Sequence, residues 1–313
     1  MRVSQMSHAR LTRLAMAAGA AAALIMTVNA AQTQAPPPAP EAPAAVAARA
    51  IPAAAPASVV LEYKMPAGRA LTYQLRSEDT RVMDIQGQSM DTQTTGTSTF
   101  TFKAKGLKDK NFLLGVTIDD IAMTVTSSAQ GDQSPDMSGV KGKSFDMVLS
   151  PLGSEVDVSG AEAVTFDVAG ETLNISSGFK IFFPDLPGKP VKVGDTWPSS
   201  GGTEEKSNSM DIRIDLQNVN TLEGFETVDG MECARISSQV TGTITGTGNQ
   251  GGADLTFSGT SKGKDVWYFA VKEGIYVKMT SESTTQMSVD VPVAGQTIPV
   301  TQTSKSEAKL TSH

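Results

Sequence analysis

Ser98-Thr99-Phe100-Thr101-Phe102-Lys103-Ala104 puts Phe100, Phe102 and Ala104 on one side of an extended chain and its polar residues on the other. The same period of two recurs along the chain. Met210, Ile212, Ile214 and Leu216 share a face, opposite Asp211, Arg213, Asp215 and Gln217. Ile121, Met123 and Val125 repeat it, as do Ile275, Val277 and Met279. Strands with one buried and one solvated face read this way, and Thr and Ser suit the solvated positions. Turn residues punctuate the runs at Lys108-Asp-Lys-Asn111, Asp229-Gly230, Lys272-Glu-Gly274 and Asn249–Gly252. The intervals between them are long for strands, and long strands twist and bend. The expected fold is mainly β: a long-stranded, curved antiparallel sheet, a half-barrel or an open barrel, with one short helix.

That helix is expected at 175–183, where Ile175, Phe179, Phe182 and Phe183 fall at i, i+4, i+7 and i+8 and Pro184 follows. Gly178 lies within it. Its apolar stripe needs a partner, and the concave face of a curved sheet is the natural one. One internal echo aligns Lys141-Gly-Lys-Ser-Phe-Asp-Met-Val-Leu-Ser-Pro-Leu-Gly-Ser-Glu-Val156 with Lys262-Gly-Lys-Asp-Val-Trp-Tyr-Phe-Ala-Val-Lys-Glu-Gly-Ile-Tyr-Val277. Two readings are open: two ordinary hairpins, or two related β halves at 59–158 and 194–313 joined by 159–193.

Beyond the helix, Phe183-Pro-Asp-Leu-Pro-Gly-Lys-Pro-Val-Lys-Val-Gly-Asp-Thr-Trp197 reads as a rigid corner. Pro184, Pro187 and Pro190 fix an extended path, Gly194-Asp195 turns it, and Trp197 can plug the core. The string Leu-Pro-x-Lys-Pro-Val-Lys-Val-Gly-Asp-x-Trp resembles the signature of uncharacterised exported bacterial β-rich domain-of-unknown-function families. So does a Tyr-x-Met-Pro-x-Gly-x-x-Leu-x-Tyr strand at Tyr63–Tyr73. The architecture is also similar to that of bacterial lipoprotein carriers and related lipid-binding envelope proteins. The resemblance implies export and a curved sheet, and it carries over no catalytic or binding residue.

The chain has 313 residues and a net charge of −7. Residues 1–30 read as a secretory signal: Arg2, Arg10 and Arg13 precede the apolar run Leu14–Val28, and Val28-Asn29-Ala30 offers a cleavage site. The run is shorter than the ~20 residues of a membrane span, and no lipidation cysteine follows it. Residues 31–58, rich in Ala and Pro, read as a disordered linker, and 59–313 as the β-rich domain. The expected location is periplasmic or extracellular, with no transmembrane anchor once the signal is cleaved. The acidic balance argues against nucleic acid as a partner.

The composition excludes much chemistry. The two histidines are His8, in the signal, and His313, and the single cysteine is Cys233. Histidine-dependent triads, disulfides, Cys-x-x-Cys pairs and His- or Cys-ligated metals are therefore not expected, and neither is a cofactor. Cys233, at alternating spacing with Met231, reads as a small buried hydrophobe. Hydrolysis would fall to carboxylates, for which Asp119-Asp120, Glu204-Glu205, and Asp211 with Asp215 are candidates. The ten methionines from Met65 to Met287 suggest an adaptable apolar surface instead. Met83, Met123, Met147, Met210 and Met279, with Phe179, Phe182 and Phe183, are the candidate ligand-binding residues. The leading expectation is a non-enzymatic envelope protein binding a lipid-like or other apolar or amphipathic ligand in the concavity. The alternatives are a structural or interaction module that docks an envelope protein, and a carboxylate hydrolase.

Overall fold

The computed structural model describes residues 58–85, 87–168 and 171–313. The signal, and all but the last residue of the linker, lie outside the described residues. The chain forms strands β1 (Ala70–Ile85), β2 (Gln88–Lys108), β3 (Asn111–Ser127), β4 (Gly131–Asp132), β5 (Ser144–Leu149) and β6 (Glu155–Asp157). After a short two-stranded hairpin, β7 (Thr165–Val168) and β8 (Glu171–Asn174), come β9 (Thr196–Lys206), β10 (Met210–Val228), β11 (Met231–Gln250), β12 (Ala253–Ala270), β13 (Ile275–Val291) and β14 (Gln296–Ser312).

One antiparallel sheet runs β6-β5-β3-β2-β1-β14-β13-β12-β11-β10-β9, with β4 paired to β3, and it curls into a half-barrel. The sheet is two meanders side by side. The first ends outward at β6, the second begins outward at β9, and they meet where β1 pairs with β14. Residues 59–158 contain the strands of the first meander, and residues 194–313 those of the second. Of the echoed segments, Lys141–Val156 spans β5, a turn and the start of β6, and Lys262–Val277 spans the β12–β13 connection.

All four quoted turn signals lie between paired strands. Asp109 and Lys110 take φ of 52° and 70°, and Asp229 and Gly230 take 48° and 81°. Both pairs give the double positive φ of turns whose twist matches a β-hairpin. Register is reinforced on the convex face, where Glu78, Lys305, Glu282 and Lys264 stand opposite one another across β1, β14, β13 and β12. A one-residue slip would send this alternating row inward.

We call the end of the sheet holding Tyr73, Phe102 and Phe269 the base, and the end holding Ile85, Leu255 and Ile298 the tip. Breaks in register at Thr72/Tyr73, Ala104/Gly106, Leu222/Gly224 and Tyr268/Phe269 all fall toward the base. Such bulges increase twist, so the strands bend around a base core. There Tyr73 stacks on Tyr276 at 5.3 Å, while Phe102, Phe182 and Phe183 meet Tyr73 edge-on. Full burial of each large apolar side chain contributes roughly 2–3 kcal/mol relative to exposure. The tip has its own cluster, including Met83, Met210, Phe257, Met287 and Val300, contributed almost entirely by the sheet itself.

The connection from β6 to β9 lies across the concave face as a plug. Its helix is shorter than the sequence pattern suggests: a single 3-10 turn spans Ser176–Phe179. Asn174 Oδ1 accepts the Ser176 N–H at 3.0 Å, and the Phe183 N–H goes to Glu155 Oε1 at 2.7 Å rather than back along a helix. Ser176, Ser177 and Gly178 are weak helix formers, so tertiary partners decide the backbone. The apolar residues of the stripe are nonetheless inward: Phe179, Phe182 and Phe183 are 2%, 7% and 4% exposed.

The corner packs as a corner. Trp197 is buried, donates through Nε1 to Asp185 O at 3.2 Å, and stands edge-on to Trp267 at 6.3 Å. Asp195 Oδ2 accepts the Lys192 N–H at 3.0 Å, and Gly194 turns the chain at φ 91°. Pro184 O receives the Tyr63 hydroxyl at 3.0 Å. Beside it Gly153 cannot carry a side chain, since a Cβ would lie 2.3 Å from that carbonyl. Pro187 is half-buried and Pro190 exposed, and both hold the extended path into Val191, which bridges Val59.

Candidate functional site

Between base and tip, the inner face of the sheet changes character. Inward positions become small or polar: Ser77, Gly96, Ser238, Ser261, Gly263, Ser281 and Ser304 replace the large apolar residues found above and below. Small side chains under a plug leave space. Two chambers result, meeting at Ile181, Phe182 and Met279, which line both.

The smaller chamber, about 150 Å³, is apolar, with Leu75, Phe100, Ile121, Met123, Phe166 and Phe179 in its wall. An apolar cavity of ~150 Å³ can accept a benzene-sized group. The larger, about 320 Å³, is mixed: Phe182, Phe183, Trp267, Leu216 and Met279 share its wall with serines of β9, β11, β12 and β13, Asn218 and Asn220. That volume is at the low end for small-molecule sites.

Several carboxyl groups occupy these walls. Glu155, Asp185 and Asp265 line the larger chamber, with Lys180. Burial raises the Glu155 carboxyl to about 8, against hydrogen bonds from the Phe183 and Phe182 backbone that favour its ionised form. Burial raises Asp265 to about 6, opposed by the Ser281 hydroxyl, and raises Asp185, opposed by Ser154. Glu205 lines the smaller chamber and is raised to about 7 by burial, opposed by hydrogen bonding to Ser177 and by the charge of Lys180. Tipward of the chambers, Asp79 and Arg81 are both buried. Gln302 joins them, accepting from Arg81 Nη2 at 2.5 Å and donating to Asp79 Oδ1 at 3.2 Å.

The candidate ligand residues divide. Met279 lies where the chambers meet, and Met123 lines the apolar one. Phe179 faces the apolar chamber, Phe183 the polar one, and Phe182 both. Met147 is fully enclosed in the base core, and Met83 and Met210 belong to the tip cluster, so these three line neither chamber. Parity shows which face a methionine takes but not how far along a bent strand the space opens.

The carboxylate pairs read from adjacency are separated. Asp120 pairs with Lys141 at 2.6 Å, and Asp119 accepts from Thr101 at 2.6 Å. Glu204, Asp211, Arg213, Asp215 and Lys206 form an exposed ladder on β9 and β10. Only Glu205 turns inward. Glu155, Asp185 and Asp265 escaped the sequence reading. A signal existed for Asp265, which shares parity with Trp267 and Phe269. Cys233 is buried and its thiol is raised to about 11 by burial, consistent with an inert apolar filler.

The convex face is polar. Besides the Glu78–Lys264 row it carries Thr241, Thr243, Thr245 and Thr247 on β11. Charged residues facing hydrocarbon near its midplane cost roughly 2–4 kcal/mol each for Lys or Arg. Among the described residues no helix is long and apolar enough to cross a membrane.

No protein family matches this chain, and no curated protein does. Among solved structures, an outer-membrane channel from Pseudomonas putida is similar at 10% identity and a TM-score of 0.34, covering 79% of this chain and 97% of the channel. A protein with a YmcC-like fold from Bacteroides fragilis aligns at 8% identity and a TM-score of 0.22, over 80% of this chain and 97% of that one. A DUF1329 family protein from Desulfovibrio piger aligns at 12% identity and a TM-score of 0.17, over 73% and 83%. Likenesses this distant carry no argument about function.

Proposed function

We propose that this is an exported, non-enzymatic protein of the cell envelope, periplasmic or extracellular, that holds a small amphipathic ligand in the concave face of its half-barrel. The observation that carries the reading is the pair of contiguous chambers, one apolar and one with many polar groups in its wall, joined at Ile181, Phe182 and Met279. A purely structural module would gain stability by filling that space, since unfilled volume costs roughly 24 cal/mol per Å³. The polar convex face suits an aqueous compartment, and the signal-like residues 1–30 supply the route there.

One observation favours a second reading. Glu155, Asp185 and Asp265 line one chamber with raised pKa values, and carboxylate hydrolases also carry raised carboxyls in a cleft. We rank it second because Glu155 already holds the plug through the Phe183 N–H.

The test is native mass spectrometry on protein purified without detergent, followed by organic extraction. A stoichiometric added mass that extraction removes is the expected result and identifies the ligand class. A clean apo mass with nothing extractable would count against the reading and favour an interaction module, with cross-linking in cells as the next step.

A further inference from the structure

The polar wall of the larger chamber is a fixed hydrogen-bond relay. Trp267 Nε1 donates to Ser238 Oγ at 2.9 Å, and Ser238 donates to Asn220 Oδ1 at 2.5 Å. Asn220 Nδ2 then donates to Ser199 Oγ at 3.0 Å, and Asn218 Nδ2 donates to the same oxygen at 3.3 Å. Asn218 is part of the chamber wall, and with its amide nitrogen directed to Ser199 its Oδ1 is left buried and without a hydrogen-bond partner among the described residues. A buried acceptor left empty has lost its hydration without compensation, so a bound donor there would be rewarded. Asp265 lines the same chamber, where the Ser281 hydroxyl favours its ionised form. Asp185 adds a third acceptor, and among the described residues Lys180 is the one cation in the wall.

We propose that the larger chamber is a head-group site for a hydrogen-bond-donating, non-anionic group, hydroxylated or ammonium-bearing, received by Asn218 and Asp265. This rests on the reading that an amphipathic ligand occupies the concave face, its short apolar end in the chamber beyond Phe182. An anionic head would meet Asp185 and Asp265 with like charge in a partly desolvated space, where repulsion is least screened. Ser199 acts as a positioning residue, holding the Asn218 amide so that its oxygen faces the ligand.

Calorimetric titration of the full chain with three ligands that share one tail separates the possibilities: hexyl β-glucoside, hexylammonium and hexyl phosphate. The expected result is that the glucoside or the ammonium binds at least tenfold more tightly than the phosphate, and whichever wins names the source of the donors. Asp265→Asn should weaken the winner about tenfold and leave hexyl phosphate unchanged or improved. Ser199→Ala should narrow the preference while the melting temperature stays near that of the parent chain. Equal or tighter binding of hexyl phosphate would overturn the head-group assignment and leave the amphipathic reading standing. Failure of all three to bind would overturn both.

Discussion

The base and the tip of the half-barrel bury the same face of the same strands in different ways. At the base a segment from outside the sheet does it: Phe179, Phe182 and Phe183 of the plug meet Phe100, Phe102 and Tyr73 of β1 and β2. At the tip the sheet covers itself, and glycines make that possible. Gly248 admits Met210 and Phe257, and Gly259 lies against Met287. A plug can be shaped independently of the sheet, so space can open beside it. A face closed on its own neighbours has little such freedom. The chambers accordingly open beside the plug.

The contrast can be broken by substitution. The largest effect should come from Phe182→Ala, which removes a ring from the base core and the wall between the chambers. Denaturant unfolding should show a loss of about 3–5 kcal/mol. A loss under about 1 kcal/mol would mean that the plug is a lid rather than part of the core.

Next is the pH dependence of the Glu155 latch. Its folded pKa, about 8, stands above the ordinary carboxylate value of 4.5, so the native state holds the proton more tightly. The associated stability is fully present below pH 4.5 and is lost as pH rises toward 8. The loss is on the order of a few kcal/mol. Glu155→Gln keeps an acceptor for the Phe183 N–H and should flatten this part of the stability–pH curve. A variant that retains the parent's slope from pH 5 to 8 would assign it to other groups, Glu205 and Asp265 first.

A smaller effect is expected at the tip. In Gly259→Ala the new Cβ would lie 2.6 Å from Gln286 O and 2.9 Å from Met287 Cα, costing about 1–3 kcal/mol. Hydrogen exchange should quicken in the tip halves of β12 and β13 and stay unchanged around Tyr73. Equal quickening at both ends would show that they unfold as one unit and remove the distinction drawn above. Smallest of all, Arg213→Ala on the exposed ladder should leave the melting temperature within error.

Much of the fold was legible because its signals are local. Alternation identifies a strand within a few residues, and Asp229-Gly230 identifies its turn without reference to anything distant. The segment 175–183 was misread for the converse reason. Its stripe is real, but its backbone conformation depends on Glu155 and Asn174, and nothing nearby announces the Glu155 contact. The chambers were illegible on the same ground. They exist because Ser238, Ser261, Ser281 and Gly96, far apart in sequence, come to one level of a curled sheet. Adjacent carboxylates caught the eye, yet neighbours on a strand point to opposite faces, so Glu204 and Glu205 were never a pair.

The seam between the two meanders bears on how the molecule is made. β1 and β14 are the first and last strands of the sheet, and they pair along most of their length. The Tyr73 hydroxyl finds its acceptor, Tyr276 O, across 203 positions of sequence, and Tyr63 finds Pro184 O across 121. Contacts of such separation must meet a large loop-closure entropy before they return anything, and chains rich in them fold slowly. Each meander can assemble from neighbouring hairpins, but the two cannot be stitched together until the final strand has been synthesised. The sheet is therefore topologically incomplete for as long as its last strand is still emerging from the ribosome.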